Sequence, residues 1–406
     1  MSKGTVFLCP ILNTMGPVKD KNHADLLYNW KQIDRSISKY YKKKFRDSFI
    51  DKNKNKVTLS YFPISWSGFR QNPVKRKMGW FSIFDYLHRK WGKKIKLNND
   101  GVYWMYNHPD KSGIANKWGL DWNENYQYLN ILNKFLIDRN FFPSAIQIPT
   151  ADLNSMHFVD QYFPFELSNR SSNFINWENI EADGRKTKEI LKWSEGYKRW
   201  SPYRPNHNNH QKKGRMKHYV FRLLDIKTRI MKFPKEEIEK AFKEASKGKK
   251  VILCGYEHDF RDRCQVVLDN FILPSIEVSK KYKNVDLINQ NFFDAAKLCV
   301  KSKNYKVNSD DVSIETNESK IIIKSKYNLF NTPYIAVKEV SKKIYFTLSP
   351  LKVSKNIWII DGLDKNKKYK INVTFFLENF EKISKNFTYN LQKIKFYNVK
   401  KNYRYF

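Results

Sequence analysis

Two short segments carry the side chains best suited to acid–base or binding chemistry. One is Tyr106-Asn107-His108-Pro109-Asp110 and the other is Tyr256-Glu257-His258-Asp259-Phe260-Arg261. An imidazole titrates near neutrality, so His108 and His258 can each act as general acid, general base or metal ligand. A carboxylate beside a histidine fixes its tautomer, which gives Glu257 and Asp259 orienting or base roles. Arg261 can hold an anionic group through its planar fork. Each segment also has a purely structural reading. His108 can be a loop histidine bonded to a backbone carbonyl, and 257–263 can be a charge network capping a helix over 262–272, with Asp259 near its N-terminus. A third segment, Trp200-Ser201-Pro202-Tyr203-Arg204-Pro205, lies in a loop spanning 193–215. Loops this long inside a compact domain commonly cover or contact a ligand, so Trp200, Tyr203 and Arg204 join the candidates. No P-loop, GxGxxG, GxSxG or HExxH pattern occurs.

These segments need elements to hold them. Apolar, β-branched runs at 5–12, 56–64, 101–106, 145–148, 165–167, 219–225 and 251–255 predict seven strands. Between them lie helical patterns at 23–49, 80–91, 124–139, 155–162 and 235–247; within 124–139, Leu129, Leu132 and Leu136 keep the spacing of a core face. Alternating strands and helices predict an α/β fold, a seven-stranded (β/α) barrel over 1–305. A barrel carries its chemistry on the loops after the strands' carboxyl ends. Those ends are Asn13, Ser65 and Trp66, then Tyr106 to His108, Gln147, Thr150, Asn169, Arg170, Asp225 and 256–261. Amides, an arginine and aromatic faces suit a sugar, so Trp66, Tyr106, Asn107 and Arg170 are expected to bind substrate together with Trp200, Tyr203, Arg204 and Arg261. Beyond Val307 the runs at 321–323, 333–337, 343–348, 356–360 and 368–377 predict a small all-β domain, sandwich-like, over 306–406.

Composition narrows the partners. The net charge is +36, but 60 of the 76 basic residues are Lys and only 16 are Arg. Phosphate and base recognition favours the Arg fork. Residues 301–406 hold 22 basic and 9 acidic residues, so the charge is spread over both parts. Nucleic acid is therefore disfavoured as a partner. The four cysteines show no CxxC spacing, and the apolar runs are strand-sized, with no membrane span and no signal-like h-region. The expected location is the cytoplasm.

In the order of its motifs, 5–300 resembles the polysaccharide deacetylase superfamily, the chitooligosaccharide deacetylase type of barrel. Asn13-Thr14-Met15-Gly16-Pro17 is similar to its first motif, 101–109 to its second, Phe142-Pro143-Ser144 to its third and 200–205 to its Tyr-Arg-Pro loop. The resemblance implies hydrolysis of acetylated sugars with a divalent metal. The metal motif is degraded here: Asn13 stands for the motif's Asp, Trp104 for the first His of the pair, and Gln147 for an Arg. An amide cannot take a proton from water at neutral pH. His108 alone remains of the pair, no residue is assigned as a metal ligand, and the catalytic roles fall on His108, Glu257, His258 and Asp259. The expected function is carbohydrate-directed, a hydrolase in surface-polysaccharide metabolism. The alternatives are an inactive glycan-binding or scaffold protein on the same barrel and, from another class, a polyanion or nucleic-acid binder.

Overall fold

The computed structural model describes residues 3–396 apart from 20–24, 116, 182–183, 228–232, 301–304, 309–310, 318–319, 365 and 390–394. At its centre a parallel sheet rolls into a nearly closed barrel. Its strands are β1 (Gly4–Thr14), β2 (Ser60–Trp66), β3 (Gly101–Val102), β4 (Trp104–Asn107), β5 (Ile146–Gln147), β6 (Phe165–Asn169), β7 (Tyr219–Arg222), β8 (Leu224–Asp225), β9 (Lys250–His258) and β10 (Val285–Asn289). Pairing runs from β1 through β2, β3 and β4, β5 and β6 to β7. After Leu223 the same run continues as β8 and pairs with β9, which returns to β1. The stretch 219–225 thus changes neighbours midway, and that change closes the ring.

The expectation of seven strands is one short. β10 lies along the first half of β1, Gly4 to Leu8, while β2 takes the second half from Ile11. Pro10 occupies the step between the two partners, where a residue without an N–H removes least from either ladder.

Alternation along the strands divides the core into two shells. Phe7, Cys9, Ile11, Phe62, Ile64, Met105, Leu167, Leu223, Ile252 and Cys254 fill the barrel. Val6, Leu8, Leu12, Tyr61, Trp104, Tyr106, Ile146 and Leu253 face outward against helices. Parallel strands covered on both sides need apolar residues at both parities, as here. The outer helices include Ser82–Leu97, Gln127–Arg139, Leu153–Tyr162, Lys235–Ala245 and Phe292–Cys299. The expected helical span 23–49 resolves into Trp30–Tyr40 and Lys43–Arg46, the first opened by a capping box between Asn29 and Gln32.

The C-terminal part forms two antiparallel sheets. One holds β11 (Val312–Asn317), β12 (Lys320–Ser325), β15 (Leu351–Ser354) and β16 (Ile357–Ile360); the other holds β13 (Tyr334–Glu339), β14 (Ile344–Leu348), β17 (Tyr369–Phe376), β18 (Lys382–Tyr389) and β19 (Lys395–Phe396). They share one apolar core, to which β13 gives Ile335 and Val337. The opposite parity of β13, Tyr334 and Ala336, packs on the barrel's helices. The Tyr334 hydroxyl donates to Asn133 Oδ1 at 3.0 Å. Phe380 stacks near Phe165 at 4.8 Å and closes the amino end of the barrel. No helix among the described residues is long and apolar enough to cross a membrane.

Candidate functional site

With the amino end plugged, the carboxyl end is left for chemistry, and the inner parity of each strand finishes there on a polar or aromatic residue. β1 ends on Asn13, β2 on Trp66, β4 on Asn107, β5 on Gln147, β8 on Asp225 and β9 on His258, each two residues beyond an interior apolar side chain or next in that alternation. Asn13, Trp66, Asn107, Gln147 and Asp225 are buried, and His258 is half-buried at the mouth. Several of their polar atoms meet no hydrogen-bond partner among the described residues: Asn13 Oδ1, Trp66 Nε1, Asn107 Nδ2, both amide atoms of Gln147 and His258 Nδ1. A buried polar group left so costs about 1–3 kcal/mol, so a cluster of them marks a place built to be filled by hydrogen-bonding matter.

Aromatic side chains wall this space. Trp118 meets Trp66 edge to face at 4.7 Å, while Tyr256 and Phe260 flank the His258 ring at 5.3 and 4.7 Å. Arg170 lies over the Tyr256 ring at 4.0 Å and 3.7 Å from Asp225. Arg76, from the loop between β2 and the next helix, lies over Phe260 at 5.2 Å. Burial, reinforced by the charges of Arg170, Arg261 and Arg76, holds His258 well below the ordinary histidine value. His258 is therefore a neutral imidazole at pH 7, able to accept a proton or share a hydrogen bond but not to supply a charge.

The other predicted residues sit elsewhere. Tyr106 and His108 lie on the outer side of β4, where Tyr106 packs against Trp122 and Tyr128. His108 is buried, with Nδ1 2.7 Å from the Pro109 carbonyl, under a loop in which a side chain on Gly119 would come within 2.1 Å of the imidazole. The structure does not bring His108 to His258. Glu257 faces outward from β9 and burial pushes its carboxyl up to about 8. Asp259 accepts from the backbone N–H groups of Met15 at 2.7 Å and Gly16 at 3.1 Å, holding the turn after β1, where Gly16 has φ of 70°. Burial raises Asp259 to about 6. Its place is that turn and not a helix cap, since the next helix begins only at Cys264. Arg261 and Arg263 both pair with Asp25 on the rim.

The long loop is stapled to the body. The Trp200 indole donates to the Glu237 carbonyl at 2.9 Å, and Tyr203 donates to the His210 carbonyl at 2.8 Å. Arg204 binds the carbonyls of Met216 and Arg215. These three side chains hold the loop and do not reach the inner ring. Asn169 likewise binds the Tyr197 carbonyl at 2.8 Å, and Thr150 binds that of Gly119 at 2.8 Å. Beside the loop, an open hollow of about 550 Å³ is lined by Lys198, Arg199, Lys212, Lys213 and Lys240.

Arg76, Trp118, Tyr256 and Phe260 belong to the mouth, and strand-end reasoning missed the first two because they come from connecting loops. The signal for Arg76 is compositional: 67–79 contains four basic residues, no acidic one, and a tryptophan on either flank.

The deacetylase resemblance implies a divalent metal, and the residues present do not fit one. Asn13 offers an amide, Trp104 and His108 face outward, and among the described residues no three His, Cys, Asp or Glu side chains gather as ligands.

No protein-family model matches the chain, and no curated protein does. Among solved structures, wild-type OgpA from Akkermansia muciniphila is 12% identical over 83% of this chain and 93% of its own, with a TM-score of 0.16. Catalytically inactive OgpA in complex with an O-glycopeptide substrate, glycodrosocin, is 12% identical over 84% of this chain and 96% of its own, also at 0.16. A double mutant of the Cellulomonas fimi endo-beta-1,4-mannanase is 8% identical over 94% of each chain, at 0.25. At such TM-scores these likenesses carry no argument about this chain's fold or activity.

Proposed function

We propose that the carboxyl mouth of the barrel binds carbohydrate. The observation that carries this reading is the inward ring of Asn13, Trp66, Asn107 and Gln147, in which Asn13 Oδ1, Trp66 Nε1, Asn107 Nδ2 and both Gln147 amide atoms have no partner among the described residues while aromatic faces stand beside them. Sugars present both hydroxyls for such atoms and apolar ring faces for such walls. Gln147 gives the sharpest test, since neither atom of its amide has a hydrogen-bond partner among the described residues. Replacing it with an apolar isostere removes a buried unsatisfied group, so Gln147→Leu keeps or raises the melting temperature. The same change weakens glycan binding at least tenfold on an array or by calorimetry. No binding by the wild type, or unchanged binding by the variant, overturns the reading.

Two activities fit this site. Glycan binding without hydrolysis is favoured by Asp259, whose two oxygens are engaged by the β1 turn, and by His108 lying outside the ring. Hydrolysis, including deacetylation in surface-polysaccharide metabolism, would fall to His258 as base. Release of acetate or of new reducing ends, abolished in His258→Gln, distinguishes the second from the first.

A further inference from the structure

The mouth holds more cationic nitrogen than its carboxylates engage. A ladder runs from Arg76 over Phe260, from Phe260 onto His258, from His258 to Tyr256 and from Tyr256 to Arg170. Arg76 Nε, one of its terminal nitrogens and Arg170 Nε are buried without a hydrogen-bond partner among the described residues. The acids nearby are occupied. Both oxygens of Asp259 accept backbone N–H groups, Asp225 faces Arg170 at 3.7 Å, and Asp25 binds Arg261 and Arg263. Glu257 faces the other side of β9. The loop 67–79 adds Arg70, Lys75 and Lys77 around Arg76 and no acid. Burial lowers Arg76 to about 10, and the charge of Asp259 offsets only part of that shift.

Guanidinium N–H groups set in an aromatic, water-poor mouth are satisfied by an oxyanion, and the planar fork matches one in two parallel bonds. We propose that the sugar taken by this mouth is an anionic one, whose carboxylate, sulfate or phosphate is held by the unpartnered nitrogens of Arg76, at one end of the His258 ladder. The inference rests on the carbohydrate reading above and narrows it from sugars in general to acidic sugars. A neutral His258 suits such a ligand, since it adds a hydrogen bond to the ring without a charge of its own.

The test is calorimetric titration of the full chain with matched hexuronate, sulfated or phosphorylated, and neutral oligosaccharides, and with inorganic sulfate and phosphate alone. One anionic set is expected to bind at least tenfold tighter than the neutral set, and the set that does so names the anion. Arg76→Gln should erase that tenfold margin. Arg76→Lys, which keeps the charge but not the fork, should recover part of it, and it stands in where Arg76→Gln lowers the melting temperature. Neutral and anionic sugars binding alike, with both weakened by Gln147→Leu, overturns the anionic reading and leaves the carbohydrate reading standing. Binding of no sugar overturns both. Inorganic anions binding as tightly as the anionic sugars also overturns the anionic reading, because the sugar would then contribute nothing.

Discussion

Glu257 and His258 are adjacent in sequence and point to opposite sides of β9, and burial biases both toward the neutral form. For Glu257 this means a carboxyl pushed up to about 8, with the outer shell and Tyr40 around it. The folded state then binds more protons than the unfolded one between the ordinary glutamate range and pH 8, so stability falls as pH rises through that window. Glutamine at this position removes the ionisation. Glu257→Gln is expected to melt with the wild type at pH 4 and to be more stable by on the order of 2–4 kcal/mol at pH 9, checked by thermal melts across that range. A wild type that loses no stability between pH 5 and 9 would contradict the assignment. Strand ends were readable as places in the sequence, and Asn13, Trp66, Asn107, Gln147 and His258 all came from them. Which neighbour faces inward was not readable, because strands apolar at both parities carry no alternation to set the phase. That single-residue ambiguity separates Asn107 from His108 and His258 from Glu257.

Elements follow the same division between what a local pattern shows and what only packing decides. The seven expected strands lie where the apolar runs are, and five C-terminal strands coincide with theirs. β10 escaped because Val285-Asp286-Leu287-Ile288-Asn289 is short, carries an acid and needs only half of β1 for its pairing. The length of its loop marks Trp200 as a candidate ligand contact, whereas its indole donates to the helix Lys235–Ala245. That helix is fastened by a buried pair: Arg222 Nη1 and Nη2 donate to Glu237 at 2.7 and 2.8 Å, with Trp200 4.7 Å over the guanidinium. Removing one member leaves a buried charge alone, at a cost of about 3–5 kcal/mol, whereas removing both does not. Denaturant melts should show Glu237→Leu strongly destabilised and the double variant Arg222→Met, Glu237→Leu restored to within about 2 kcal/mol of the wild type.

At the scale of the whole molecule, the C-terminal sheets cover part of the barrel rather than trail from it. Tyr334 and Phe376 join the barrel's outer shell, Phe142 packs on both, and Asp138 receives Lys338 at 3.1 Å and the Tyr345 hydroxyl at 2.7 Å. We place the boundary between the two parts at 305/306, and a chain ending at 305 should bare Phe142, Tyr162 and Phe165 together. It is expected to elute as aggregate on size exclusion, and a monodisperse, cooperatively melting fragment would refute this.

The divided pairing of β1 has one more consequence, in the order of synthesis. β1 finds β2 within sixty residues, but its other partners, β9 and β10, arrive about 245 and 280 positions later. At common translation rates of about 5–20 residues per second, the apolar stretch Val6 to Leu12 waits on the order of tens of seconds before its neighbours exist. Such distant contacts make folding slow and leave an unpaired edge exposed meanwhile. β1 is thus completed only by strands made long after it, and chaperone supply during translation should govern the yield of folded protein.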